Sequence, residues 1–225
     1  MIFILPRQLY TRYNNYHSNG QSALLQNVKN SILKTYSRTE IGGDGQVVVV
    51  TFSDGMRFEL VPAFENSDDS FTYPDSNDGG KWKTTNPKPE ISAIATRNIL
   101  CNSNLKRLCR MTRAWKNCWS VPIGGLLIDT LAYNFILNWE YKDKSYFYYD
   151  FLSRDFLLYL SKQNPQQSYW LAAGSNQYIG RKGLFEYKAK QCYNLALEAI
   201  DYESKGMSYS ARQKWREIYG AAYPS

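Results

Sequence analysis

The chain has one histidine, His17, and it lies in the polar stretch NNYHSNG. That argues against a Ser-His-Asp or Cys-His catalytic set, in which a histidine serves as the base. The four cysteines, Cys101, Cys109, Cys118 and Cys192, form no CxxC pair, and a lone histidine does not complete a zinc set with them. They read as free, mostly buried thiols of a reducing cytoplasm. No segment reaches the run of about 18 apolar residues that a membrane span needs, so the chain reads as soluble, with no membrane contact. The opening MIFILP is short and has no basic stretch before it, so it reads as a buried strand and not as a signal peptide. Neither GxxxxGK[ST] nor GxGxxG occurs. The glycines at 174, 180 and 183 in AGSNQYIGRKG fit neither spacing and read as a loop before a helix.

What is present points to a globular α+β protein. At 225 residues and 44% apolar content the chain can form one large domain or two small lobes. A net charge of +7 with a pI near 9.1 favours an anionic partner such as nucleotides or nucleic acid. Met1 to Leu5 reads as a strand closed by Pro6. Leu24, Leu25, Val28, Ile32 and Leu33 recur at helical spacing between Gln21 and Tyr36. Val47 to Phe52 is apolar on both faces, as in a central strand, and Ser53-Asp54-Gly55 supplies a hairpin turn. The rest reads as helical, with stripes at Leu105, Leu108, Cys109, Thr112 and Trp115 and at Ile128, Leu131, Ala132, Phe135 and Trp139. Three further helices are read at Phe151 to Lys162, Leu184 to Tyr202 and Ser210 to Tyr219, the second with Leu184, Tyr187, Cys192, Leu195 and Ala199 inward. The expected plan is an α/β lobe over about residues 1–90 and an all-helical lobe over about 91–225, with a cleft between them.

Three features carry candidate chemistry. Glu59 stands in the second strand of the hairpin, on the face opposite Phe58 and Leu60. It reads either as an exposed strand glutamate on a solvated face or as a carboxylate kept beside a buried strand because it binds a cation. In NLKRLCRMTRAWKN, Lys106, Arg110 and Arg113 share a helix face, with Lys116 one turn beyond. That stripe is either a wet face or a phosphate-binding one. Residues 65 to 90 have no sustained period and read as a long loop, in which Lys81, Trp82 and Lys83 form either a lid over a bound anion or a solvated segment with one aromatic anchor.

Together, VVVVTFSDGMRFELVPAFE, FTYPD, GGKWKTTNPKPEI, LCRMTRAWK, VPIGGLLIDTLAYNF and the ending KWREIYGAAYPS resemble the bacterial cGAS/DncV-like nucleotidyltransferases, the CD-NTases, in their SMODS-type branch. The resemblance implies a polymerase-β-like nucleotidyltransferase lobe followed by a helical lobe in a bacterial cytoplasmic protein. It implies that Glu59, in Phe58-Glu59-Leu60, is the third catalytic acid and a ligand to one of two Mg²⁺ ions. It places Arg110, Arg113 and Lys116 beside nucleotide phosphates, and Gly124 and Gly125 at the base pocket. The Ser-Tyr pair of the animal enzymes is absent there, which leaves base identity open.

The family's Gly-Ser and its paired acids in a DhD strand are absent upstream of Glu59, and Gly174-Ser175 has no DhD after it. The lobe is therefore expected to be N-terminally incomplete, with Met1 an internal methionine of a longer protein. The implied function is joining ATP and possibly another NTP into a cyclic oligonucleotide for antiphage (CBASS) signalling through a separate effector, with this chain alone inactive. Two alternatives stay open: a non-catalytic nucleotide- or partner-binding remnant, and an enzyme that adds nucleotides to nucleic acid.

Overall fold

The computed structural model describes residues 1–224, which divide into two units, Met1–Lys88 and the chain from Pro89 onward. In the first unit, strand β1 (Ile2–Ile4) precedes helices α1 (Arg7–Asn14) and α2 (Gly20–Thr35). Strands β2 (Glu40–Asp44), β3 (Val47–Thr51), β4 (Arg57–Glu65), β5 (Phe71–Asp75) and β6 (Lys81–Thr85) follow. They pair antiparallel in chain order, and β1 joins β4 in parallel with Ile2 opposite Val61 and Ile4 opposite Ala63.

Side-chain alternation decides which face of this sheet is covered. Val48 and Val50 are buried opposite Leu60 and Phe58, and all four join Leu25, Val28 and Ile32 of α2 in one apolar cluster. Val47, Val49 and Thr51 point the other way and are only half-buried. The expectation that β3 is buried on both faces is thus corrected, because α2 packs on one of them.

Helix α2 starts where Asn19 Oδ1 accepts the N–H of Ser22 at 2.9 Å. Its first residue has to be glycine, since a Cβ on Gly20 would lie 1.8 Å from the Tyr13 carbonyl oxygen. The hairpin turn at Ser53-Asp54-Gly55 forms, with Gly55 at φ 84° and the Phe52 N–H donating to the Met56 carbonyl at 2.8 Å.

The long loop expected over residues 65 to 90 is instead the β5–β6 hairpin. Its strand period is hidden because polar residues and proline occupy paired positions, with Pro74 opposite Trp82 and Asp75 opposite Lys81. Lys81, Trp82 and Lys83 are therefore strand residues and not part of an irregular loop. The Trp82 ring packs against Tyr10 at 4.9 Å and Phe64 at 5.8 Å between centroids, in a cluster that includes buried Tyr13 and Leu24. Lys83 is committed to Asp75, 2.7 Å away.

In the second unit, α3 (Lys88–Leu100) begins at the boundary and leads into α4 (Asn104–Cys118), α5 (Gly125–Ile136) and α6 (Tyr149–Ser161). Strands β7 (Tyr169–Leu171) and β8 (Tyr178–Gly180) form a small antiparallel hairpin, and α7 (Glu186–Ser204) and α8 (Ser208–Tyr219) close the unit. The hairpin corrects the all-helical reading of this half.

The predicted stripe of α4 is buried in full, from Leu105 to Trp115, and the Trp115 indole donates to Cys192 Sγ of α7 at 3.1 Å. On α7 the inward residues are Ala189, Cys192, Ala196 and Ala199, whereas Leu184 and Tyr187, expected inside, are exposed. Small side chains let α7 lie close to both α6 and α8, so size outweighs hydrophobicity on that helix. No helix among the described residues is long and apolar enough to cross a membrane.

Candidate functional site

Glu59 sits at the middle of β4, directly across from Val49, on the half-open face of the sheet. Its backbone carbonyl accepts the amino group of Met1 at 2.6 Å, which places the residue beside the start of β1. The carboxylate is 55% exposed and lies 3.2 Å from the Arg57 guanidinium, itself 56% exposed. The cost of burying a charge, which motivated the cation-binding reading, is therefore not incurred here: water and Arg57 both reach the group.

Among the described residues no three His, Cys, Asp or Glu side chains come together in a way that would hold a metal ion. Mg²⁺ demands several oxygen ligands in near-octahedral order. One carboxylate already paired with an arginine does not meet that demand, so the residues present do not fit a two-Mg²⁺ centre.

The basic stripe of α4 does not converge on one place. Arg113 turns toward α5, where its Nη2 lies 2.7 Å from Asp129 Oδ2 and 3.4 Å from the Gly125 carbonyl. Asp129 raises the Arg113 pKa further, so this guanidinium is always charged. Lys106 lines a separate cavity with Asp129, Glu90 and Thr130. Arg110 lies on another cavity, with aromatic walls. Lys116 is half-buried in the last turn of α4.

Gly124 is the N-cap of α5 and makes no side-chain capping bond. A Cβ placed on it would meet Lys182 Cε at 3.5 Å, and one placed on Gly125 would meet Arg113 Nη2 at 3.6 Å. The start of α5 thus has two cations beside backbone N–H groups that, as in any first helical turn, have no acceptor within the helix, an arrangement that suits an oxyanion. The sequence reading named Arg113, Gly124 and Gly125 here but missed Lys182 and Asp129. The GRKG run was the only available signal for Lys182, and nothing local singled out Asp129.

Residues 1–98 match the family described as the Second Messenger Oligonucleotide or Dinucleotide Synthetase domain, SMODS. A probable cyclic nucleotide synthase of Bacillus cereus strain VD146 is 24% identical over 204 residues, covering 87% of this chain and 60% of that protein. This chain therefore spans about three-fifths of that curated relative's length.

The fold resembles Vibrio cholerae di-nucleotide cyclase DncV, solved with GTP and 5MTHFGLU2, at TM-score 0.72 and 12% identity over 93% of this chain and 61% of that one. It also resembles Escherichia coli MS115-1 CdnC, solved in a HORMA complex, at TM-score 0.61 and 11% identity over 91% of this chain and 73% of that one. The first 98 residues thus match the SMODS domain family, and the chain has the fold of the DncV-like nucleotidyltransferases.

Proposed function

We propose that this chain is the nucleotide-handling part of a synthase that joins NTPs into a cyclic oligonucleotide, a second messenger for antiphage (CBASS) signalling read by a separate effector. The observation that carries the proposal is the position of Glu59. It is the acid of an apolar-Glu-apolar strand, on the half-open sheet face, inside the segment matched to the synthase domain. In this reading Glu59 is one metal-binding acid of the active protein, and Arg113, Lys182 and the start of α5 neutralise nucleotide phosphates, with Lys116 and Gly124 close by in sequence. The domain division expected at about residue 90 is proposed as the functional one, with the base held by the helical half.

Because the described residues supply a single suitable carboxylate, this chain alone binds NTPs without joining them, and catalysis requires two further acids from outside it. A second reading is favoured by the Arg57–Glu59 ion pair, which neutralises the carboxylate: a nucleotide-binding protein with no catalytic role.

The test is incubation of the chain with radiolabelled ATP and GTP and Mg²⁺, followed by chromatography, together with calorimetric titration of the same nucleotides. Binding without product, weakened about tenfold by Arg113→Ala, supports the proposal. Cyclic or linear product from this chain alone would refute the inactivity, and absence of NTP binding would refute the phosphate site. Metal-dependent binding that disappears in Glu59→Gln favours the catalytic reading over the binding-only one.

A further inference from the structure

The helical unit holds a cavity of about 510 Å³ that does not include Arg113, Lys182 or the start of α5. Its volume falls within the range of small-molecule sites, roughly 300 to 1,000 Å³. One wall is a ladder of near-parallel rings: Trp215 lies 6.4 Å from Tyr219 at 22° and 6.3 Å from Tyr223 at 24°. Tyr146 and Phe147, stacked on each other at 4.3 Å, also line it, yet they remain 66% and 72% exposed. Two flat aromatic side chains held at a cavity in water leave apolar area that a planar ligand would cover.

Only two charged residues line the cavity, Arg110 and Asp150. Asp150 is half-buried, and its Oδ1 accepts the Phe151 N–H at 2.8 Å. The neighbour one helical turn on, Arg154, would be its natural ion-pair partner. Arg154 is instead bound to Asp155 at 2.7 Å and lies over the Phe151 ring at 4.7 Å. Asp150 thus makes no ion pair among the described residues, and desolvation raises its pKa above the ordinary carboxylate value. A ligand bringing N–H donors would offset that desolvation. Arg110 is exposed and likewise unpaired among the described residues, so it is available to an anionic group.

We propose that this cavity is a second ligand site, taking a planar nitrogen heterocycle that presents an N–H donor edge to Asp150 and an anionic substituent to Arg110. The aromatic walls supply stacking, the carboxylate selects the donor edge, and the arginine selects the charge. GMP has all three elements, guanosine lacks the anion, and AMP lacks the paired N–H edge. These three are therefore the probes.

The experiment is calorimetric titration of the intact 225-residue chain with each probe. GMP is expected to saturate one site, with AMP and guanosine each weaker by about tenfold or more, the usual loss when a charge-assisted hydrogen bond is removed. Asp150→Asn should abolish the preference for GMP over AMP, and Arg110→Ala should abolish the preference for GMP over guanosine. Tyr146→Ala, at an exposed position with no role in the core, should weaken all three probes and guards against a folding defect in the Asp150 variant. Absence of GMP binding, or GMP binding unchanged by these three substitutions, overturns the proposal. So does GMP binding that is lost only in Arg113→Ala, which would place the nucleotide at the start of α5.

Discussion

Arg113 and Asp129 form a 2.7 Å ion pair that ties α4 to the first turns of α5. The two side chains are 41% and 27% exposed, so water screens the attraction and the pair stabilises the unit by only about 1 kcal/mol. Asp129→Asn is expected to lower unfolding stability by roughly that amount while releasing the guanidinium. In the same variant inorganic triphosphate should bind several-fold more tightly, measured by calorimetry beside a urea denaturation curve. Weaker triphosphate binding would mean that Asp129 orients Arg113 toward an anion and does not compete with one.

Asp75 predicts an acid transition in the first unit. Its carboxylate meets Lys83 at 2.7 Å and Gln46 at 3.2 Å, and it accepts the Asn77 backbone N–H at 3.1 Å. The Lys83 hydrogen bond is the main cause of a pKa lowered from 3.8 to about 2. A carboxyl depressed in the folded state takes up its proton more readily once unfolded. Its contribution is therefore complete above about pH 4 and is lost as pH falls toward about 2. The melting temperature of the chain should decline over that window, and Asp75→Asn should flatten the decline while lowering the midpoint at neutral pH. An acid limb of unchanged slope in the variant would assign it to other carboxylates.

The thiols offer a check on the helical core. Burial raises the Cys101 pKa and pushes Cys109 and Cys192 to about 12, whereas Cys118 at the end of α4 is exposed. Thiolate is the reactive form, so a disulfide reagent such as DTNB should titrate Cys118 quickly and the other three only in denaturant. Cys118→Ser should remove the fast phase. A second fast thiol would show that α4 or α7 opens readily in the native protein.

How much of this was legible in the sequence depended on whether a signal was local. The α4 stripe from Leu105 to Trp115 and the inward pair Phe58 and Leu60 follow from period alone, and both occur in the fold. β5 and β6 did not, because Pro74 and Asp75 break the apolar alternation while their cross-strand partners, Trp82 and Lys81, hold the pairing. Ala189 and Ala196 were passed over for Leu184 and Tyr187, since residue period registers hydrophobicity and not how closely a neighbouring helix approaches. Around Glu59, Arg113 and Gly124 the residue types were legible, but their neighbours were not. Arg57 on the carboxylate, Asp129 on the guanidinium and Lys182 at the helix start are set by tertiary packing.

Arg181 and Glu186 join the β7–β8 hairpin to the start of α7, and their burial makes them the strongest stability test in the molecule. Their side chains are 12% and 8% exposed, and the charged atoms stand 2.8 Å apart at an angle unsuited to a hydrogen bond. Arg181 also donates to the carbonyls of Gln167 at 2.6 Å and Asn164 at 2.8 Å, and its guanidinium lies over the Trp170 ring at 4.9 Å. Glu186 Oε2 accepts the Phe185 N–H at 2.9 Å. Removing either partner leaves a buried charge uncompensated, so Arg181→Met or Glu186→Leu alone should cost about 3 kcal/mol or more in urea denaturation. The double variant, which leaves no charge behind, should recover part of that loss, the remainder reflecting carbonyls deprived of their donor. Arg181→Lys keeps the charge but loses the planar fork and the ring contact, so it should fall nearer to Arg181→Met than to the native chain. Full stability in Arg181→Lys would show that charge alone holds the hairpin to α7.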